Sequence, residues 1–196
     1  MKKLQLLLVP IVLAILLAGC GEDDVNKGIE TSMSEDIPTF EYTNQDNENF
    51  GSSDLEGKWW VADFIFTNCT SVCLPMTSNM AVLQEKLKEE DIDVELVSFS
   101  VDPDYDTPEV LKDYSEQYDA DLENWSFLTG YDFQTIKELS IKSFRSLVQE
   151  PEKGDDQVTH GTSFFLVNPE GELIKNYSGL DVEVMDEIVA DLKLTK

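Results

Sequence analysis

The chain has 196 residues, of which 41% are apolar and 10% aromatic, a composition that excludes global disorder and suits one domain with a packed core. There are 40 acidic residues against 14 Lys and Arg, so the formal net charge is −26. A surface of this charge repels nucleic acid and anionic lipid headgroups, and no nucleic-acid partner is expected. The acidity is typical of adaptation to a salty exterior and says little about mechanism.

The N-terminus has the pattern of an export signal. Lys2 and Lys3 precede a short apolar stretch, LQLLLVPIVLAILLA, and the small residue Gly19 then precedes Cys20. The stretch is short for a membrane span, although an uncleaved anchor helix is the alternative interpretation. Residues 1–19 are therefore predicted to be a signal peptide that takes the domain out of the cytoplasm.

The segment LAGC, residues 17–20, resembles the lipobox of bacterial lipoproteins, in which the cysteine is acylated and becomes the new N-terminus. The resemblance implies that Cys20 carries lipid, such as palmitate, and tethers the domain to the extracytoplasmic face of the cell membrane. Residues 20–36 are mostly polar and acidic, without periodicity, which predicts a flexible linker. The folded domain is expected over residues 37–196.

That domain alternates strands and helices. The predicted strands are a hairpin within 39–58, buried central strands at 59–66 and 94–101, a third at 125–130, and a final pair within 161–179. The predicted helices lie at about 75–90, 107–118, 133–144 and 182–192. This order predicts an α/β domain with partly parallel central strands, in which function collects at the strands' carboxyl ends. It fits a thioredoxin-like fold with an N-terminal β-hairpin extension and a β-hairpin insertion at the sheet edge.

Two cysteines follow the first central strand, in FIFTNCTSVCLPM, residues 64–76. Cys73 is expected at a helix start, where free N–H groups and the helix dipole favour a thiolate. With Cys20 modified, Cys69 and Cys73 are the one remaining pair. A disulfide across so short a loop adds little stability, so a structural staple is a poor explanation. Two interpretations of Cys69 and Cys73 therefore remain: a redox-active pair, or two ligands of a metal site.

His160 is the one histidine of the chain and leads into the strand FFLV. Two thiolates and an imidazole suit copper, whose Cu(I) form prefers sulfur. A lone histidine is, however, more often a surface or hydrogen-bonding residue. On the residues alone, the redox pair and the copper site are equally supported.

Three segments together resemble the Sco/SenC family of copper proteins: FTNCTSVC (66–73), SVDPDYDTPE (100–109) and HGTSFFLVNPEG (160–171). The resemblance covers about residues 37–190. It implies a thioredoxin fold that binds one copper ion, Cu(I) or Cu(II), through Cys69, Cys73 and His160. It also implies a role in assembling the dinuclear copper centre of cytochrome c oxidase subunit II, with other copper chaperones or thiol reductases as further partners.

Neighbouring positions carry weaker signals. Asp102 matches an aspartate of the family, which implies a part in tuning the site or docking the partner; the alternative is turn formation before Pro103. Asp104 and Asp106 are expected to be turn and helix-start residues. Leu74 departs from the family, whose members commonly have proline directly after the second cysteine.

Three functions follow as alternatives. The first is a metallochaperone, not primarily an enzyme, with thiol–disulfide oxidoreductase activity as an addition. The second is a thiol–disulfide reductase or redox sensor that uses Cys69 and Cys73 on partner cysteines and carries no copper. The third, and the least supported, is a peroxide-reducing or peroxide-sensing protein.

Overall fold

The computed structural model describes residues 25–196. The predicted signal peptide, residues 1–19, and the predicted lipidation site at Cys20 lie outside the described residues. Among the helices of the described part of the chain, none combines the length and the apolar character needed to cross a membrane.

An eight-stranded sheet forms the centre of the domain. Its strands are β1 (Glu35–Asp36), β2 (Glu41–Asn44), β3 (Asn49–Gly51), β4 (Trp60–Ile65), β5 (Glu95–Ser100), β6 (Trp125–Thr129), β9 (Ser163–Val167) and β10 (Glu172–Ser178). Their order across the sheet is β1-β10-β9-β4-β5-β6-β2-β3. β4, β5 and β6 run parallel, and the flanking strands pair antiparallel. A separate two-stranded ribbon is formed by β7 (Val148–Gln149) and β8 (Thr159–His160).

The helices are α1 (Ser52–Leu55), α2 (Cys73–Glu89), α3 (Pro108–Glu116), α4 (Phe133–Ser143) and α5 (Val184–Lys193). Their starts follow local rules where the sequence has a capping residue. Thr107, directly before α3, accepts a hydrogen bond from the Val110 N–H through its side chain, and Pro108 occupies the first turn, where its missing N–H costs nothing.

Both faces of the sheet are covered, which explains why the central strands are apolar throughout. Successive side chains of a strand point to opposite faces, so β4 contributes to two apolar clusters. One cluster packs α2, α3 and α5 on the sheet and includes Val61, Ile65, Leu96, Met80 and Ile188. The other packs α4 and the β2–β3 hairpin on the opposite face and includes Trp60, Phe64, Phe99, Phe144 and Phe165. The predicted α/β alternation and the N-terminal hairpin are confirmed.

The segment before Ile37 differs from the flexible linker expected over residues 20–36. Ile29 is buried, the Met33 N–H donates to the Ile174 carbonyl of β10, and β1 adds a strand to the sheet edge beyond β10. Contacts with the rest of the domain therefore extend well before Ile37, because a few apolar and backbone contacts anchor an otherwise polar segment.

Candidate metal centre

The carboxyl end of β4 and the start of α2 position both cysteines. Cys69 lies in the loop that connects them, and Cys73 is the first residue of α2, as predicted. Val72, directly before α2, makes no side-chain capping hydrogen bond. Instead, the Cys73 N–H points at the Cys69 sulfur at 3.4 Å, so a sulfur takes the place of a capping oxygen at the positive end of the helix.

The β7–β8 ribbon brings His160 to the same place. The ligand atoms of Cys69, Cys73 and His160 all lie within 4.8 Å of one another. His160 Nε2 is 3.1 Å from the Cys73 sulfur. Both cysteines are free thiols, and all three residues are buried. The predicted trio therefore converges on a space that fits one ion, with the donor set that copper prefers.

Hydrogen bonding fixes the His160 ring. Its Nδ1 lies 2.8 Å from the Gly161 carbonyl oxygen. Because a carbonyl can only accept, Nδ1 carries the proton and Nε2 keeps its lone pair toward the sulfurs. The Phe66 ring packs edge-on against the imidazole, with centroids 5.7 Å apart. This is the tautomer that a metal-binding imidazole needs.

The two thiols differ in acidity. A hydrogen bond from the Cys73 side chain, with others from the Ser71 and Cys73 backbone N–H groups, outweighs the effect of burial and holds the pKa of Cys69 well below that of a free thiol. The same contact with Cys69, together with burial, raises the pKa of Cys73. Cys69 is therefore the thiolate of the pair, and Cys73 keeps its proton until a metal or a disulfide replaces it.

A buried carboxyl group lies on the strand that leads into the site. Asp63 of β4 is completely buried, and neither of its carboxyl oxygens has a hydrogen-bond partner. Ser98, its neighbour in register on β5, accepts from the Trp125 indole N–H, and its own hydroxyl proton opposes the effect of burial on Asp63 only in part. Burial raises the pKa of Asp63 to about 7. In the sequence, the sign of this buried carboxyl group is an acidic residue in the middle of the apolar run WWVADFIF.

Asp106 is more than the turn or helix-start residue that was expected. Its side chain is buried and accepts hydrogen bonds from the Thr67 N–H at 3.2 Å, the Thr67 hydroxyl at 2.5 Å and the Ser100 hydroxyl at 2.5 Å. Thr67 begins the cysteine loop, so this carboxylate ties that loop to the end of β5. Thr67 and Asp106 lie 39 residues apart in sequence, which hid the contact.

Asp102 lies at the same edge of the sheet but is not one of the three converging groups. Its backbone carbonyl accepts from the Tyr105 and Asp106 N–H groups, so Asp102 begins a turn, in agreement with the alternative interpretation that it forms a turn before Pro103. Burial, and then repulsion from Asp104 and Asp156, raises the pKa of its carboxyl group. The suggested part of Asp102 in tuning the site or docking a partner stays a prediction.

A cavity of about 450 Å³ opens beside the trio. It is lined by the cysteine loop, by the ribbon and by the segment between β7 and β8, including Phe66, Cys69, Val72, Gln157 and His160. Leu74, where proline is common in the family, is 51% exposed. The cavity gives an ion or a partner's side chain a route to Cys69 and His160.

The comparisons with known proteins agree with this geometry. The sequence model of the SCO1/SenC family matches residues 30–195. A SCO1/SenC family lipoprotein from Bacillus anthracis str. Ames is 51% identical, with a TM-score of 0.78 over 81% of this chain and 94% of that one. BsSco, described with a disulfide switch and as a member of the Sco family of cytochrome c oxidase assembly proteins, is 45% identical, with a TM-score of 0.76 over 83% and 94%.

A third similar structure, Arabidopsis thaliana ScoI with copper bound, is 28% identical, with a TM-score of 0.68 over 80% of this chain and 97% of that one. These likenesses confirm the predicted thioredoxin-like α/β fold. The family match spans both cysteines, the histidine and nearly all of the described residues, and the chain therefore belongs to the SCO1/SenC family.

Proposed function

We propose that the chain binds one copper ion as cargo and assists the assembly of cytochrome c oxidase. The observation that carries the proposal is the convergence of two buried sulfurs and one imidazole nitrogen within 4.8 Å. Cys69, Cys73 and His160 would hold the ion. Thiolates suit Cu(I), and the imidazole also suits Cu(II).

The ligand number suits transfer. Three protein ligands leave copper a coordination position that an incoming thiolate from an acceptor can take. Ligands can then be exchanged one at a time, so the ion need not be released to water. The acceptor would be the dinuclear copper centre of cytochrome c oxidase subunit II, with other copper chaperones as donors.

Membrane tethering would assist this transfer. Acylation of Cys20 after removal of residues 1–19 would hold the domain on the extracytoplasmic face of the membrane, and a similar protein from Bacillus anthracis is named a lipoprotein. Confining the donor and the acceptor to one surface raises their effective concentration.

Thiol–disulfide exchange is the second candidate, and the paired acidities of the two cysteines favour it. The Cys69 thiolate would attack a partner disulfide and form a mixed disulfide, releasing one partner thiolate. Cys73, after losing its proton, would then attack Cys69 and release the second partner thiolate. The pair loses two electrons, and the partner gains them.

Copper titration of the reduced protein tests the proposal. Wild type is expected to take up about one ion per chain, whereas His160→Ala is expected to lose tight binding. Gln149→Ala, at an exposed position lining the same cavity, is the control and should bind as wild type does. An unchanged copper affinity in His160→Ala would refute the three-ligand site and leave thiol exchange, which needs both cysteines but not the histidine.

A further inference from the structure

One side chain joins the loop of Cys69 to the segment that carries His160. The Gln157 amide oxygen accepts from the Thr70 N–H and the Thr70 hydroxyl, both at 3.1 Å. Its amide nitrogen donates to the Asn68 carbonyl at 3.0 Å and to the Asp156 carboxylate at 2.9 Å. The amide thus uses both of its donors and two acceptor positions.

The positions of these partners are informative. Asn68 and Thr70 are the residues on either side of Cys69, and Gln157 contacts the backbone of both. It also precedes His160 by three residues, in the segment that enters β8. Asp156 adds a second link, because its carboxylate accepts from the Asn68 side-chain amide at 3.0 Å.

The other two ligands have anchors of their own. Cys73 is part of α2, and His160 pairs with Val148 of β7. Cys69 alone of the three lies outside regular secondary structure. Its placement therefore depends on the hydrogen bonds that hold its loop, and those from Gln157 fix the peptide groups on both sides of it.

We propose that Gln157 is a positioning residue that sets the distance from the Cys69 sulfur to His160 and thereby the copper affinity of the site. The effect on copper rests on the proposed function. The effect on the loop does not, because Gln157 makes its hydrogen bonds to protein groups of the loop and not to a ligand of the site. Losing Gln157 leaves a site of two well-placed ligands and one displaced ligand.

The test compares Gln157→Met, which keeps the side-chain length but removes the hydrogen bonds, with Gln149→Met on β7 of the same ribbon. In the metal-free protein, hydrogen exchange of the Thr70 amide is expected to accelerate roughly tenfold in Gln157→Met. The copper dissociation constant should rise roughly tenfold. The sulfur-to-copper charge-transfer band of the Cu(II) complex should shift, since it reports the geometry of the two sulfur ligands, of which Cys69 is the one displaced. Gln149→Met should match wild type in all three measurements.

A second variant, Gln157→Glu, keeps the acceptor for Thr70 but, when ionised, loses the donors to Asn68 and Asp156 and sets a second carboxylate against Asp156. It should protect the Thr70 amide better than Gln157→Met does, while its copper affinity should stay below that of wild type. Thermal unfolding is measured first, to establish that each variant folds. If Gln157→Met does not fold, the Glu variant replaces it in the measurements of copper affinity and of the charge-transfer band, and wild-type values there would overturn the proposal.

Copper affinity and a charge-transfer band within experimental error of wild type in a folded Gln157→Met protein would overturn the proposal, whatever the Thr70 exchange rate. Should wild type itself bind no copper, the proposed function fails. Unchanged Thr70 exchange in Gln157→Met would then overturn the positioning role separately.

Discussion

Replacing Asp63 by asparagine should change how the stability of this protein depends on pH. The carboxyl group is completely buried without a hydrogen-bond partner, so its charged form is disfavoured in the folded state. Burial raises its pKa from 3.8 to about 7. Between these two values the folded protein holds a proton that the unfolded chain has released.

The sign and the size follow from this difference. The contribution of the protonated Asp63 carboxyl group to stability is fully present below its pKa in the unfolded chain. It is lost as the pH rises through its pKa in the folded protein. Each unit of pKa difference corresponds to about 1.4 kcal/mol, so Asp63 removes about 4 kcal/mol from the free energy of unfolding by pH 8. The asparagine amide cannot ionise, so Asp63→Asn should lack this loss, while the other effects of the substitution stay constant with pH.

Urea unfolding of both reduced proteins from pH 4 to pH 8 measures the effect. The free energy of unfolding of Asp63→Asn, minus that of wild type, should rise by about 1.4 kcal/mol per pH unit up to about pH 7 and then level off. Subtraction removes the titration of groups common to both proteins, such as Cys69. Asp113→Asn, at an exposed carboxylate, is the control and should give a flat difference. A flat difference for Asp63→Asn would refute the burial argument.

Three further changes test other parts of the structure. Asp106→Ala leaves the Thr67 N–H and the hydroxyls of Thr67 and Ser100 without their acceptor. The free energy of unfolding in urea should fall by about 2 kcal/mol, whereas Asp104→Ala, at an exposed neighbour, should change it little. Copper binding near pH 7 should release about one proton per ion, from Cys73, because Cys69 is already a thiolate. Calorimetry in buffers of different ionisation enthalpy measures the number of protons released. Near-zero release would contradict the assignment of Cys73 as the protonated thiol. Thr107→Ala removes the cap of α3 and should cost about 1 kcal/mol in the same unfolding assay, whereas Thr107→Ser should cost little.

Most of the fold was predictable because long elements carry periodic signals. The apolar runs of β4 and β5 and the Thr107-Pro108 start of α3 agree with the structure to within one or two residues. The β7–β8 ribbon was not predicted, and the packing of residues 29–36 was masked by their polar composition. Strands of two residues have no periodicity, and both segments are held by contacts with distant parts of the chain.

The same distinction applies to the site. Cys69, Cys73 and His160 were identifiable because their residue types and local sequence carry the chemistry. Asp106 and Gln157 were not, because each acts through partners more than 35 residues away in the chain. Their types are ordinary for turns and surfaces, and only the folded chain shows which backbone groups they bind.

The three ligands are held with unequal firmness, and this bears on how copper would leave. Cys73 and His160 belong to a helix and a paired strand, whereas the loop of Cys69 is held by side chains: Asp106 accepts from the Thr67 N–H, and Gln157 donates to the Asn68 carbonyl. Local opening is least costly where backbone groups are bonded to few partners. We therefore infer that ligand exchange begins at Cys69, the ligand whose displacement leaves the helix and the ribbon intact.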